Sequence, residues 1–158
     1  MKRNKTKTYL FWILSTLAVG AFSGWLTREG TSLYSSSIAK PPLSPPAIVF
    51  PIVWTVLYFL MGIGAARVSL SPASPARTKA LGIYLLQLGF NFFWSIIFFS
   101  FGAYGAALVW LAALWLLIVL MILTFYRADI TAALLQLPYL LWVTFAAWLN
   151  FGVWVLNK

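Results

Sequence analysis

The chain has 158 residues, of which 63% are hydrophobic and 8% charged, with a formal net charge of +9 and neither Cys nor His. That apolar share lies far above a soluble domain's and defines an integral membrane protein; the two missing residue types exclude disulfides, thiol catalysis and histidine-based acid–base or metal chemistry. The cations border apolar runs and form no patch interleaved with loop aromatics, so membrane lipids, through their anionic headgroups, are the expected partners and nucleic acid is not.

Apolar blocks free of Lys, Arg, Asp and Glu occupy 9–26, 47–66, 80–101, 104–126 and 130–156. A bilayer core takes roughly 20 such residues per helix, so the prediction is an all-α bundle of five transmembrane helices in one domain covering 1–158. In the first block, the preceding Lys2, Arg3, Lys5 and Lys7 also resemble the start of a secretory signal. The run is longer than the usual apolar core of such a signal, which favours a retained span. Gly20 and Gly24 form a GxxxG spacing that permits close helix approach, within one chain or in a dimer. Trp12, Trp25 and Trp154, near block ends, are candidates for interfacial anchors.

The link 27–46 is long for a connection without structure of its own, and such segments commonly act as lids. It ends in Lys40-Pro41-Pro42-Leu43-Ser44-Pro45-Pro46, whose prolines stiffen the entry to the second block. A rigid rim capping a pocket and a plain Pro-rich helix start are both consistent with that run. The second block carries Trp54, Tyr58 and Met61 at i, i+4 and i+7. A polar connector over 70–79 leads to the third, where Gln87, Asn91 and Ser95 at i, i+4 and i+8 make one polar stripe beside Trp94 and Phe98. A tight turn around Gly102 makes the third and fourth blocks antiparallel neighbours. The fifth places Tyr139, Trp142, Ala146 and Asn150 on one broad face.

Amides inside a bilayer point inward. They can be simple interhelical glue, contributing about 0.6 kcal/mol per bond on average, and aromatic stripes are commonly packing. A few amide and indole donors among large flat rings is also the composition of a concave apolar ligand site suited to flat polycyclic molecules. No acid lies inside a block, since Glu29 and Asp129 fall in predicted loops, and this argues against a proton-coupled transport cycle. A bound tetrapyrrole would be held by stacking and peripheral polar contacts, with Tyr the remaining axial ligand.

Lys and Arg stay preferentially on the cytoplasmic side. One face holds Lys2, Arg3, Lys5, Lys7, Arg67, Arg77, Lys79 and Arg127, against Arg28, Lys40 and Lys158 on the other. That bias predicts a cytoplasmic amino terminus in a bacterial cell membrane.

Taken together, Arg28-Glu29-Gly30, Lys40-Pro41 with Pro45-Pro46, Trp54 with Tyr58 and Gly62, Gln87 with Asn91 and Trp94, and Pro138-Tyr139 before Trp142, Phe145-Ala146 and Leu149-Asn150 resemble the translocator protein family, also called tryptophan-rich sensory proteins (TspO/MBR), over nearly the whole chain. The resemblance implies a five-helix bundle, often dimeric, that binds porphyrins and synthetic aromatic ligands in a pocket capped by the first loop. It carries Trp54, Asn91, Trp142 and Ala146 over as ligand-binding residues, with Tyr58, Gln87 and Trp94 as neighbours and Tyr34 as a lid contact. The chain departs from the family pattern at Leu43, where Trp is usual, in the spacing of Tyr34 from Lys40, and at Ala106 and Trp110. Phe151 and Val155 stand where the family's cholesterol motif has Tyr and a basic residue, so sterol binding is not supported.

The leading expectation is a non-enzymatic membrane receptor or carrier for a porphyrin such as protoporphyrin IX or haem, requiring no cofactor and able to form a homodimer. Two other readings stay open: a light-dependent porphyrin-degrading enzyme in which the porphyrin supplies the photochemistry, and a regulatory membrane scaffold whose indoles only pack helices.

Overall fold

A computed structural model describes residues 4–158; Lys2 and Arg3, counted above among the cations of one face, lie outside the described residues. Among the described residues, five helices are long and apolar enough to cross a membrane. The first, α1 (Lys5–Leu26), starts at Asn4, whose side chain accepts a hydrogen bond from the Lys7 backbone N–H at 3.2 Å. It runs across the bundle to Thr27, where the chain turns at once into α2 (Arg28–Ser37).

The link expected to be a long loop therefore contains a ten-residue helix. Its Ser-rich sequence hides it, but tertiary contact holds it in place. Gly30 lies directly on the Phe99 carbonyl, leaving no room for a Cβ, and the Tyr34 ring meets Phe98 and Phe99 edge-on at 5.6 Å each. After α2 the proline run crosses the end of the bundle. There Pro41 fills the space beside Gly152, the Ala39 N–H donates to Asn157 Oδ1 at 3.1 Å, and Asn157 Nδ2 donates to the Ala39 carbonyl at 2.9 Å.

The chain returns through α3 (Val49–Leu70), which packs along α1. Gly62 makes this approach possible, because a Cβ there would stand 2.6 Å from the Ile13 Cα. Of the GxxxG pair, Gly20 serves an intramolecular contact, lying against the Tyr58 ring, whereas Gly24 meets nothing within 4 Å. Next comes α4 (Pro75–Ser95), five residues longer at its start than the predicted block. Ser74 caps it by accepting from the Arg77 N–H at 3.1 Å, and Pro75 occupies a first-turn position whose amide hydrogen is not needed.

A π-helical turn over Ile96–Ser100 follows, closed by Phe101 N–H to the Ile96 carbonyl at 3.1 Å. Gly102, at φ 59°, then reverses the chain into α5 (Tyr104–Ala128). The fifth block is interrupted. A short α6 (Ile130–Leu134) precedes α7 (Leu137–Leu156), with Gln136 between them sending its amide to the Leu60 and Ala132 carbonyls at 3.4 and 3.1 Å.

Asp129 is more than a loop acid. It caps α6 through the Ala132 N–H at 2.8 Å and accepts a two-pronged hydrogen bond from Arg67 at 3.0 and 2.9 Å. Burial pushes its carboxyl up, but the Arg67 and Ala132 hydrogen bonds and the guanidinium charge outweigh this and hold its pKa below the ordinary aspartate value. Two of the three expected anchors, Trp25 and Trp154, sit at helix ends with Arg28 and Lys158 over their rings. Trp12 is partly buried instead, edge-on to Tyr84 at 5.6 Å.

Candidate ligand cavity

The helices pack closely in the half of the bundle that holds the amino terminus and separate in the other half. Between them lies a cavity of about 650 Å³, walled by α1, α2, α3, the end of α4 with its π-helical turn, and α7. That volume is within the usual range for small-molecule sites.

Eight aromatic side chains line the cavity. Trp54 is central, its ring 5.7 Å from Tyr58, 6.2 Å from Trp94 and 6.2 Å from Tyr139. Trp94 is fixed in orientation, since its indole N–H donates to Asn150 Oδ1 at 3.2 Å while the Asn150 amide donates to the Tyr104 carbonyl at 2.8 Å. Trp142 contacts Phe50 and Phe145 at 6.0 and 5.5 Å. It also borders an outward-facing apolar groove between α3 and α7, so it is a partition between cavity and lipid side. Its indole N–H is buried without a protein acceptor.

Beneath the aromatic wall the amides of α4 form a floor. Tyr58 donates to Asn91 Oδ1 at 2.7 Å, Asn91 Nδ2 donates to the Tyr139 oxygen at 2.7 Å, and Tyr139 donates to Gln87 Oε1 at 2.9 Å. Gln87 Nε2 ends the chain on the Met61 sulfur at 3.6 Å. Buried polar groups satisfied by one another fix the helices that carry them. Here α3, α4 and α7 are locked at one level.

Of the expected site residues, Trp54, Tyr58, Trp94, Trp142, Ala146 and Tyr34 border the cavity. Gln87 and Asn91 do not; both are almost wholly buried and engaged in the floor. Burial, with Tyr104 nearby, raises the Tyr34 phenol above its ordinary value, so it is neutral at physiological pH. Sequence reasoning missed Gly24, Arg28, Thr31 and Phe50 as lining residues. The Arg28-Glu29-Gly30 motif was a usable signal, but its side chains could not be aimed inward without knowing that the segment is helical.

Fold and site together define a multi-pass membrane protein whose bundle encloses an aromatic-walled cavity. Residues 12–155 match the TspO/MBR family. The chain is 40% identical over 143 residues to the tryptophan-rich protein TspO of Chlorobaculum tepidum, covering 89% of this chain and 90% of that one. It is 36% identical to the protein of the same name from Archaeoglobus fulgidus, covering 92% and 94%, and 32% identical to the translocator protein of Bos taurus, covering 89% and 85%. The chain belongs to the TspO/MBR family.

Proposed function

We propose that the protein is a membrane receptor or carrier that binds porphyrin-type tetrapyrroles, and other flat aromatic molecules, in this cavity. The observation that carries the reading is the meeting of three indoles, Trp54, Trp94 and Trp142, around one space with Gly24 and Ala146 leaving room between them. Flat rings gain from offset or edge contact with aromatic faces, and α2 closes the space from the side through Tyr34. The site needs no metal or reacting residue to do this. The charge bias supports an amino terminus in the cytoplasm of a bacterial cell, with α2 on the opposite surface. All walls come from one chain, so a homodimer would carry two separate sites.

The test is quenching of tryptophan fluorescence by protoporphyrin IX in detergent. Wild type is expected to saturate. Ala146→Phe, which fills the space beside Trp142, should weaken binding by about tenfold or more, equivalent to about 1.4 kcal/mol. Unchanged affinity in both Ala146→Phe and Trp142→Ala would remove the cavity as the binding site.

A further inference from the structure

The cavity wall is aromatic, but one place on it is charged. Arg28 is the only ionised side chain among the described residues that line the space, and no carboxylate lines it. Several of the neutral polar groups around it have already committed hydrogens, whereas the Trp142 indole N–H has no protein acceptor. The hydroxyls of Thr27, Thr31 and Thr55 donate to the Ser23, Thr27 and Pro51 carbonyls at 2.9, 2.9 and 2.7 Å. Tyr58 donates to Asn91, and the Asn150 amide to Tyr104. With those hydrogens engaged these groups offer an anion little, and the uncommitted Trp142 N–H carries no charge.

Arg28 does the reverse. Its Nη1 donates to the Trp25 carbonyl at 2.9 Å, the Trp25 ring lies 5.0 Å away, and Nη2 is 3.9 Å from Glu29. A guanidinium has five hydrogens to give, so the fork is held in place with donors to spare. Glu29 is a weak competitor because its side chain is 92% exposed and such pairs contribute little in water. Lys40 is occupied nearby, donating to the Ser35 and Ile38 carbonyls at 3.0 and 3.4 Å and lying 5.2 Å over the Tyr34 ring.

We propose that the cavity selects anionic flat amphiphiles, seating the ring system among the indoles and placing a carboxylate on the Arg28 guanidinium at the rim. This rests on the proposed function above and deepens it. A planar fork binds a carboxylate through two parallel hydrogen bonds, so Arg28 sets orientation as well as preference. The acidic edge of the ligand faces water at the end of the bundle that carries α2, and the uncharged edge lies inward over Trp54. A neutral ester of the same ring system keeps the stacking and loses the rim contact.

The experiment compares protoporphyrin IX with its dimethyl ester, by tryptophan quenching, on the full chain in detergent. Wild type is expected to bind the free acid about tenfold more tightly than the ester. Arg28→Gln should bring that ratio close to one by weakening the acid while leaving the ester's affinity in place. Arg28→Lys should restore part of the preference, and raised ionic strength should narrow it in wild type, because the rim is open to water. Saturable binding of both compounds with the same ratio in wild type and Arg28→Gln overturns selection by Arg28 and leaves the cavity reading standing. Failure of both compounds to saturate wild type overturns the cavity reading, and this proposal with it. An Arg28→Gln protein that loses both ligands would assign Arg28 to holding α2 and also overturn the proposal.

Discussion

The half of the bundle that carries the amino terminus and the half that carries α2 are both largely apolar, yet one is solid and the other hollow. In the solid half Met61, Ala65, Val68, Ala80, Ile118, Met121 and Phe125 are fully buried. Small residues there admit a neighbour: Gly62 receives the backbone of α1 at Ile13, and Gly64 receives the Gln136 side chain. In the hollow half Gly24 meets nothing within 4 Å, and Ala146 lies on the wall of an open space beside Trp142. A small residue makes a contact or a void according to what the opposite helix brings to the same level. The hydrogen-bonded layer of Tyr58, Asn91, Tyr139 and Gln87 separates the two regimes, and its rigidity keeps the cavity from collapsing into the core.

The largest expected effect comes from filling the solid half. Gly62→Leu would force α1 and α3 apart at Ile13 and should cost about 3 kcal/mol, the upper end for overpacking. Thermal melting in detergent checks it; an unchanged melting temperature would mean the close approach is not needed.

The dividing layer comes next. Asn91→Leu leaves the Tyr58 hydroxyl without its acceptor and removes the donor to Tyr139, which should cost about 1–2 kcal/mol. Because Asn91 lies below the cavity and not on its wall, protoporphyrin affinity should fall less than in Ala146→Phe. A loss equal to or larger than that of Ala146→Phe would put Asn91 in contact with the ligand after all and erase the boundary drawn between floor and pocket.

The smallest effect belongs to the outer edge of the solid half. Asp129→Ala removes both a helix cap and a partly buried ion pair and should cost about 1 kcal/mol, while Asp129→Asn, which retains a capping oxygen, should cost less. The folded carboxyl titrates below its ordinary value of 3.8. Its contribution is therefore complete above that value and is lost as pH falls through the lower folded pKa. Melting curves recorded down through that range should show a steeper acid loss in wild type than in Asp129→Asn, with ligand affinity at neutral pH unaffected in either variant.

Much of this arrangement was legible in the residues. Charge-free runs of sufficient length disclosed the five spans, and the inward direction of Gln87 and Asn91 followed from the cost of amides in hydrocarbon. Whether those amides faced a void or a partner was not legible, since the answer depends on the hydroxyls of Tyr58 and Tyr139, supplied by two other helices. The ten-residue α2 was hidden for a related reason: Ser32, Ser35, Ser36 and Ser37 give it little intrinsic helix preference, and its support comes from the distant Phe98 and Phe99. The break before α7 had a local sign in Pro138, which suits a helix start. The unbroken apolar character of the fifth block masked it.

The paired hydrogen bonds between Ala39 and Asn157 join residues 118 positions apart in the chain. A ribosome makes α2 long before it makes the far end of α7, so this latch becomes available only after the contacts among α1 to α5. Before that, α2 can rest on Phe98 and Phe99, but Ala39 and Pro41 lack their partners on and beyond α7. Closure of this end thus waits on the arrival of α7, and the same two bonds also record that α7 has docked.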